Sequence, residues 1–323
     1  MSTLKNLGHS DLKVYPLNLG GNVFGWTADQ DTSFAVLDAY TEAGGNFIDT
    51  SDSYSRWVPG HQGGESETII GEWLAARGHR ENVVVATKGS RHPDFTGLAG
   101  DTLKKAAEAS LKRLRTDYID LYYTHYDDES VPVEHIVETL DELVRSGKVR
   151  AVAASNISAE RLEASLAYAT NRGLATYSAL QPHYNLVSRD TYEGPLADVA
   201  RKYNLGVLPY YSLAGGFLTG KYRPASDGRG DGKIDSGRAG TAMGAGKYLE
   251  TEQGPRVLAA LDEVARAHNA EIPTIALAWL GAQPTVTAPI ASARTHLQLP
   301  ALLASVELTL TDDELAKLNE ASA

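Results

Sequence analysis

The feature that most restricts this chain is a rhythm. Short runs rich in β-branched and aromatic residues recur along it, each followed by a longer stretch with apolar residues at helical spacing. The runs at 14–20, 46–49, 82–87, 118–123, 149–154, 176–180, 206–210 and 285–290 read as eight strands. Between them, 32–43, 65–77, 101–113, 133–146, 158–170, 190–203 and 255–268 read as helices. Ser158 ahead of Ala-Glu and Asp101 supply start signals, and Gly44-Gly45 a stop. Eight βα units in 323 residues favour an α/β fold of the (β/α)8 TIM-barrel type over an open doubly wound sheet, which usually has fewer strands.

Two segments stand outside the rhythm. Residues 3–14 read as an N-terminal β-hairpin turning at Gly8-His9-Ser10. Residues 218–254 form a long, polar, glycine-rich loop after strand 7, a length that in a compact fold points to a functional loop. Its position predicts a lid over the pyrophosphate of a cofactor. No boundary is needed to explain it, so 1–323 is expected to be a single barrel domain.

Composition narrows the function. A hydrophobic fraction of 42% with 22% charged residues suits a packed core and not a disordered chain. The formal net charge of -11 gives no long-range attraction to nucleic acid or to anionic membrane. The absence of cysteine removes disulfides, thiolate nucleophiles and cysteine-ligated metals together. No apolar run has the length of a membrane helix or a secretory leader, so a cytoplasmic protein is expected.

In a TIM barrel the chemistry gathers at the C-terminal ends of the strands. Asp49 ends the second predicted strand, Lys88 the third and His125 the fourth. Ser155-Asn156 close the fifth, Gln181 the sixth and Tyr211-Ser212 the seventh, and Arg294 follows the eighth. Singly each has an ordinary account: Lys88 as a solvated charge, Asp49 as a turn cap, His125 as a structural histidine, Tyr54 as one of 16 tyrosines. Their convergence on one face is what the sequence offers.

The ordered set of motifs goes further. Phe47-Ile-Asp-Thr-Ser-Asp-Ser-Tyr54, Val83-Val-Val-Ala-Thr-Lys88 and Asp120-Leu-Tyr-Tyr-Thr-His125 are followed by Ala154-Ser-Asn156, Gln181-Pro-His-Tyr-Asn185, Tyr210-Tyr-Ser212 and Gly216-Phe-Leu-Thr-Gly-Lys221. This series resembles the aldo-keto reductase family, from about residue 12 to about residue 310. The resemblance implies reduction of an aldehyde or ketone to an alcohol with Tyr54, Lys88, Asp49 and His125 as the catalytic set. Tyr54 would be the proton donor and His125 would orient the carbonyl. An unperturbed tyrosine is a poor acid, with a pKa of about 10, and an ammonium beside it is expected to lower that value. That is the part assigned to Lys88, with Asp49 holding the lysine.

The same resemblance implies a nicotinamide cofactor, since side chains supply no hydride. Its carboxamide would lie against Ser155, Asn156 and Gln181, with Tyr211 stacked on the ring and Ser212 nearby. The chain departs from the family's pattern after strand 8. Ala291 stands where a lysine is frequent, Gln298 where an arginine is, and Ala301-Leu302 where a Glu-Asn pair reaches the adenine. Ser292 and Arg294 remain as the anion contacts, with Gln298 kept among the cofactor-binding residues, and NADPH is the expected cofactor with NADH as the second option. Trp26 and Trp57 follow the first two strands and could wall an apolar substrate pocket. The expected partner is a small-molecule carbonyl compound.

Two other readings compete. Some proteins of this architecture act as cofactor-binding regulatory subunits, against which stand Asp49, Tyr54, Lys88 and His125 together. A metal-dependent hydrolase would want clustered histidines and carboxylates at strand ends, and there is no His-x-His pair.

Overall fold

The computed structural model describes residues 3–78, 80–223 and 245–323. Strands β1 (Lys5–Asn6) and β2 (Lys13–Val14) form the N-terminal hairpin, and β3 (Asn18–Gly20) begins the barrel. Helix α1 (Gln30–Glu42), β4 (Phe47–Asp49), α2 (Glu65–Arg77) and β5 (Val84–Gly89) follow. A small ribbon, β6 (Arg91–His92) with β7 (Phe95–Thr96), precedes α3 (Gly100–Leu114). Then come β8 (Ile119–Thr124), α4 (Val133–Arg145), β9 (Val149–Ser155), α5 (Ala159–Arg172), β10 (Tyr177–Gln181), α6 (Pro195–Lys202) and β11 (Gly206–Val207). The chain closes with α7 (Gly246–Leu249), α8 (Gln253–His268), α9 (Ile272–Gly281), β12 (Ile290–Ala291), α10 (Leu299–Glu307) and α11 (Asp312–Ala321).

Eight parallel strands run in the order β11-β10-β9-β8-β5-β4-β3-β12. The last seam is closed by three backbone bonds: Val207 N to Thr285 O at 3.0 Å, Thr287 N to Val207 O at 2.9 Å and Ile290 N to Pro209 O at 2.9 Å. The sheet is therefore a ring with no free edge, the (β/α)8 barrel that the sequence rhythm predicts.

Side chains alternate across each strand, so one set fills the ring and the other faces the helices. Phe47, Val84, Ala86, Leu121, Ala151 and Ala179 belong to the inner cluster, while Ile48, Val85, Ile119, Val152 and Leu180 pack outward. The hairpin plugs the N-terminal mouth, with Leu7, Leu12 and Val14 joining the inner cluster. Continuing the inner series toward the C-terminal end gives Asp49, Lys88, Ser155 and Gln181, all buried. The barrel interior thus changes from apolar to polar along its axis, and the other end is left for chemistry.

Where the elements differ from the sequence reading, proline and glycine account for much of it. The predicted strand 14–20 is two elements, since Val14 pairs in the hairpin and Pro16 separates it from β3. The predicted strands at 206–210 and 285–290 are short ladders, because Pro209, Pro284 and Pro289 lack the N–H a ladder needs. Helix α6 begins at Pro195 and not at 190, set by Gly194 at φ 97° and by proline at the first turn. The segments of α9, α10 and α11 were not read as helices. Of the predicted loop 218–254, residues 224–244 lie outside the described residues, so the lid does too. Its flanks are packed: Tyr248 is buried against Phe217 at 5.3 Å, and Arg223 pairs with Asp262.

Gly8 shows how tightly the plug is fitted. Its φ is +55°, and a Cβ there would lie 2.1 Å from Ser178 O and 2.7 Å from Gly206 N. Both the backbone conformation and the space exclude a side chain. Gly8→Ala should therefore destabilise the fold by about 3 kcal/mol or more in chemical denaturation. A change under about 0.5 kcal/mol would show that the hairpin is not docked as described.

Candidate active site

The site is built around one buried ammonium. Lys88 is the last inward side chain of β5 and is fully buried, next to Asp49 at the end of β4, which is 1% exposed. An ammonium has three donors and no acceptor. All three of these are used: Lys88 Nζ donates to Asp49 Oδ2 at 2.5 Å, to Thr50 O at 2.8 Å and to the Tyr54 hydroxyl oxygen at 2.9 Å. The Tyr54 oxygen thus accepts from the lysine, and its proton is left to point elsewhere. Among the described residues the one protein acceptor it finds is Asp49 Oδ2, at a long 3.4 Å. Gln181 Nε2 holds the other carboxylate oxygen, Oδ1, at 2.8 Å.

Burial pushes the Lys88 ammonium down from its ordinary value, and Asp49 opposes that shift. Burial, and next the Asp49 carboxylate, hold the Tyr54 hydroxyl well above the usual tyrosine value. Burial and Asp49 thus outweigh any lowering by the Lys88 ammonium. The ammonium sits nearer to Asp49 than to Tyr54, so the pair presents little net positive charge to the phenol. Tyr54 is consequently a firmly protonated donor in this state.

His125 lies beside Tyr54, with ring centroids 6.2 Å apart and Nδ1 3.1 Å from Ser51 Oγ. Burial, then Lys88, Arg91 and Arg56, holds it well below the usual histidine value, so the ring is neutral. All four predicted residues therefore meet within one contact network. Several loops at this mouth carry non-glycine residues in the left-handed region, namely Ser55 (φ 70°), Ser90 (φ 95°), Asn156 (φ 48°) and Tyr211 (φ 58°). Such conformations cost energy and gather at functional sites.

The residues predicted for the cofactor fall on the other half of the mouth, over β9 to β12. Ser155 Oγ donates to Gln181 O at 2.9 Å, and Asn156 Nδ2 donates to His125 O at 2.8 Å and Ser155 Oγ at 3.0 Å. These three converge beside Asp49. Ser212 is buried and donates to Pro209 O, while the Tyr211 ring meets His183 edge-on at 5.5 Å. Ser292 donates to Asn22 Oδ1 at 2.5 Å, facing Gly20, whose missing Cβ would sit 2.5 Å from Ser292 Oγ. Arg294 is exposed, and Gln298 Oε1 accepts its backbone N–H at 2.8 Å, so Gln298 shapes the turn that presents Arg294.

The sequence reading passed over Ser51, Thr50 O and Tyr210, whose hydroxyl donates to Asn156 Oδ1 at 2.8 Å. It also passed over a rim of Arg56, Arg91 and Tyr126. Thr50, Ser51 and Tyr210 stood in quoted motifs, but Arg56, Arg91 and Tyr126 lie outside them, with no periodic signal.

Comparison with known proteins agrees with this geometry. Residues 16–323 match the sequence profile of the Aldo/keto reductase family. An uncharacterized oxidoreductase of Bacillus subtilis, YrpG, is 34% identical, over 97% of this chain and 94% of its own length. The norsolorinic acid reductase stcV of Emericella nidulans is 32% identical, over 96% and 78%. A putative aryl-alcohol dehydrogenase of Saccharomyces cerevisiae, AAD14, is 29% identical, over 95% and 83%.

Behind the Tyr54 loop lies a second group of buried charges. Asp52 receives Ser51 Oγ at 3.2 Å and His92 N at 3.4 Å, and Glu67, fully buried, is held by Thr87 Oγ1 at 2.5 Å and Arg113 Nε at 2.6 Å. Burial, then the Glu67 charge, pushes the Asp52 carboxyl up to about 7. An unfolded aspartate titrates near about 3.9, so between these values the folded state binds the extra proton and stability falls as pH rises. Asp52→Asn should therefore lose about 2–3 kcal/mol less than the wild type between pH 5 and 8 in denaturant titrations. Equal pH dependence in the two proteins would place the Asp52 titration elsewhere.

Proposed function

Since the chain belongs to the aldo/keto reductase family and is an NAD(P)H-dependent oxidoreductase acting on small carbonyl compounds, we propose that it uses NADPH to reduce an aryl aldehyde or ketone, with Tyr54 as the proton donor. One observation carries the assignment: Lys88 spends its donors on Asp49, Thr50 O and the Tyr54 oxygen, so the tyrosine has its own proton to give. When bound, the nicotinamide supplies the hydride to the carbonyl carbon. Tyr54 places its proton on the carbonyl oxygen as negative charge develops there. The Lys88 hydrogen bond strengthens as the phenol becomes a phenolate, which favours the transition state over the ground state. Asp49, held by Gln181, keeps the ammonium in place and charged. His125, neutral and beside Tyr54, orients the carbonyl.

The residues of the mouth fit a dinucleotide. Asn156, Ser155 and Gln181 would face the carboxamide, and the Tyr211 ring the nicotinamide. Arg294 is a cation with no carboxylate within 4.0 Å among the described residues, and it would take the 2′-phosphate, with Ser292 nearby. The aryl preference rests on the rings that line the other half. Trp26 meets Trp57 at 5.4 Å, and Trp57 meets Tyr54 at 6.3 Å. The names of the fungal reductase and the yeast dehydrogenase agree with it.

NADPH oxidation followed against aryl and alkyl aldehydes tests the proposal. Tyr54→Phe should lower turnover by about 10² or more and leave NADPH binding nearly intact. Near-normal turnover in that variant would remove Tyr54 from the role, and no turnover by the wild type on any carbonyl would favour a regulatory subunit. Arg294→Ala should weaken NADPH about tenfold at moderate salt with NADH little changed. Equal weakening of both cofactors would place the 2′-phosphate contact elsewhere.

A further inference from the structure

Most of the arginines around the barrel of this acidic chain hold a carboxylate: Arg77 with Asp38, Arg80 with Asp120, Arg113 with Glu67 and Arg161 with Asp127. On the β4 and β5 side of the mouth, two do not. Arg56, just after Tyr54, and Arg91, just after β5, have no carboxylate within 4.0 Å among the described residues. They are nevertheless held against each other. Arg56 Nη1 donates to Arg91 O at 3.1 Å, and the Arg91 guanidinium lies over the Tyr126 ring at 4.4 Å. Tyr126 in turn meets His125 at 5.3 Å, so Arg91 is two ring contacts from the imidazole beside Tyr54.

We propose that this pair is an anion site on the substrate side, and that the carbonyl substrate carries a carboxylate or phosphate on its ring. The inference rests on the reductase reading above. A guanidinium has five N–H donors in a fixed fork, and among the described residues Arg56 hydrogen-bonds through its side chain to one backbone oxygen. The Arg56 guanidinium rests on the Arg91 backbone while neither side chain has a carboxylate within 4.0 Å among the described residues, and an arriving anion would supply the missing counter-charge. Stacking on Tyr126 holds Arg91 in place without using its donors, which leaves the fork available. The rings have the matching shape: Trp57 and Tyr126 are 47% and 42% exposed, large enough surfaces to hold an arene between the phenol of Tyr54 and the arginines. The pair also stands over β4 and β5, away from Arg294 and the strand ends assigned to the cofactor, so it does not duplicate a cofactor-phosphate contact.

The test compares matched substrates on the NADPH-loaded enzyme. For 4-carboxybenzaldehyde against its methyl ester, and 4-formylphenyl phosphate against 4-methoxybenzaldehyde, kcat/KM should favour the anion about tenfold or more in at least one pair, and the larger ratio identifies carboxylate or phosphate. Arg56→Gln/Arg91→Gln should collapse that ratio toward one, and raised salt should reduce it in the wild type. Quenching of tryptophan fluorescence supplies a readout without turnover, with benzoate and phenyl phosphate expected to bind more tightly than benzamide. Turnover with charged and neutral partners used equally overturns the anion site and leaves the reductase standing. Inactivity on every carbonyl removes the reductase reading, and equal binding of benzoate, phenyl phosphate and benzamide then overturns the anion site as well.

Discussion

A single buried ion pair organises this molecule's functional end. Lys88 and Asp49 meet at 2.5 Å inside a closed ring of strands, with essentially no exposure of either. Taking two charges out of water costs several kcal/mol per ion, and their attraction offsets that only when the remaining polar atoms are also satisfied. Here they are: the ammonium has Thr50 O and the Tyr54 oxygen, and the carboxylate has Gln181. A pair of this kind adds little to stability compared with well-packed apolar side chains. Its presence is better explained by what it does to Tyr54, whose oxygen accepts from Lys88 and whose proton has only a long contact to Asp49 among the described residues.

The rest of the fold makes that arrangement possible. Ring closure through Val207, Thr285 and Thr287 gives every strand two neighbours, which fixes the direction of each inward side chain. The hairpin fills the opposite end with Leu7 and Leu12, so the polar residues have one mouth only. Positive-φ residues such as Ser55 and Asn156 then bend the loops back over the ring. The mouth divides into two halves: rings and arginines over β4 and β5, and serines, amides and Arg294 over β9 to β12.

Much of this was legible in the sequence, for identifiable reasons. The repeated strand–helix rhythm and the strand ends put Asp49, Lys88, His125 and Gln181 on one face, and the ordered motifs added Tyr54. Helix α2 was read to its residue, 65–77, because its flanking glycines and its start at Glu65 are local signals. Helix α9 was missed because it is buried on nearly every side and so lacks an amphipathic stripe. Helix α11 could have been found, since Thr311-Asp-Asp-Glu314 is a capping box that the structure forms. The direction of the Tyr54 shift was not legible, because it depends on how deeply the phenol is buried and on which partner the lysine sits nearer. The Arg56–Arg91 contact was hidden for a related reason: it joins two loops 35 positions apart with no periodic signal in either.

The central claim is that the Lys88–Asp49 pair is kept for chemistry and not for stability, and a double-mutant cycle measures this directly. Unfolding free energy and aldehyde turnover would be compared in the wild type, Asp49→Leu, Lys88→Met and the double variant Asp49→Leu/Lys88→Met. The account predicts that each single change destabilises by about 3–5 kcal/mol because it leaves a buried charge or its partners unmatched, that the double variant recovers most of that loss, and that all three have lost turnover. Turnover near wild type in the double variant, or stability no better than in the worse single variant, would contradict it.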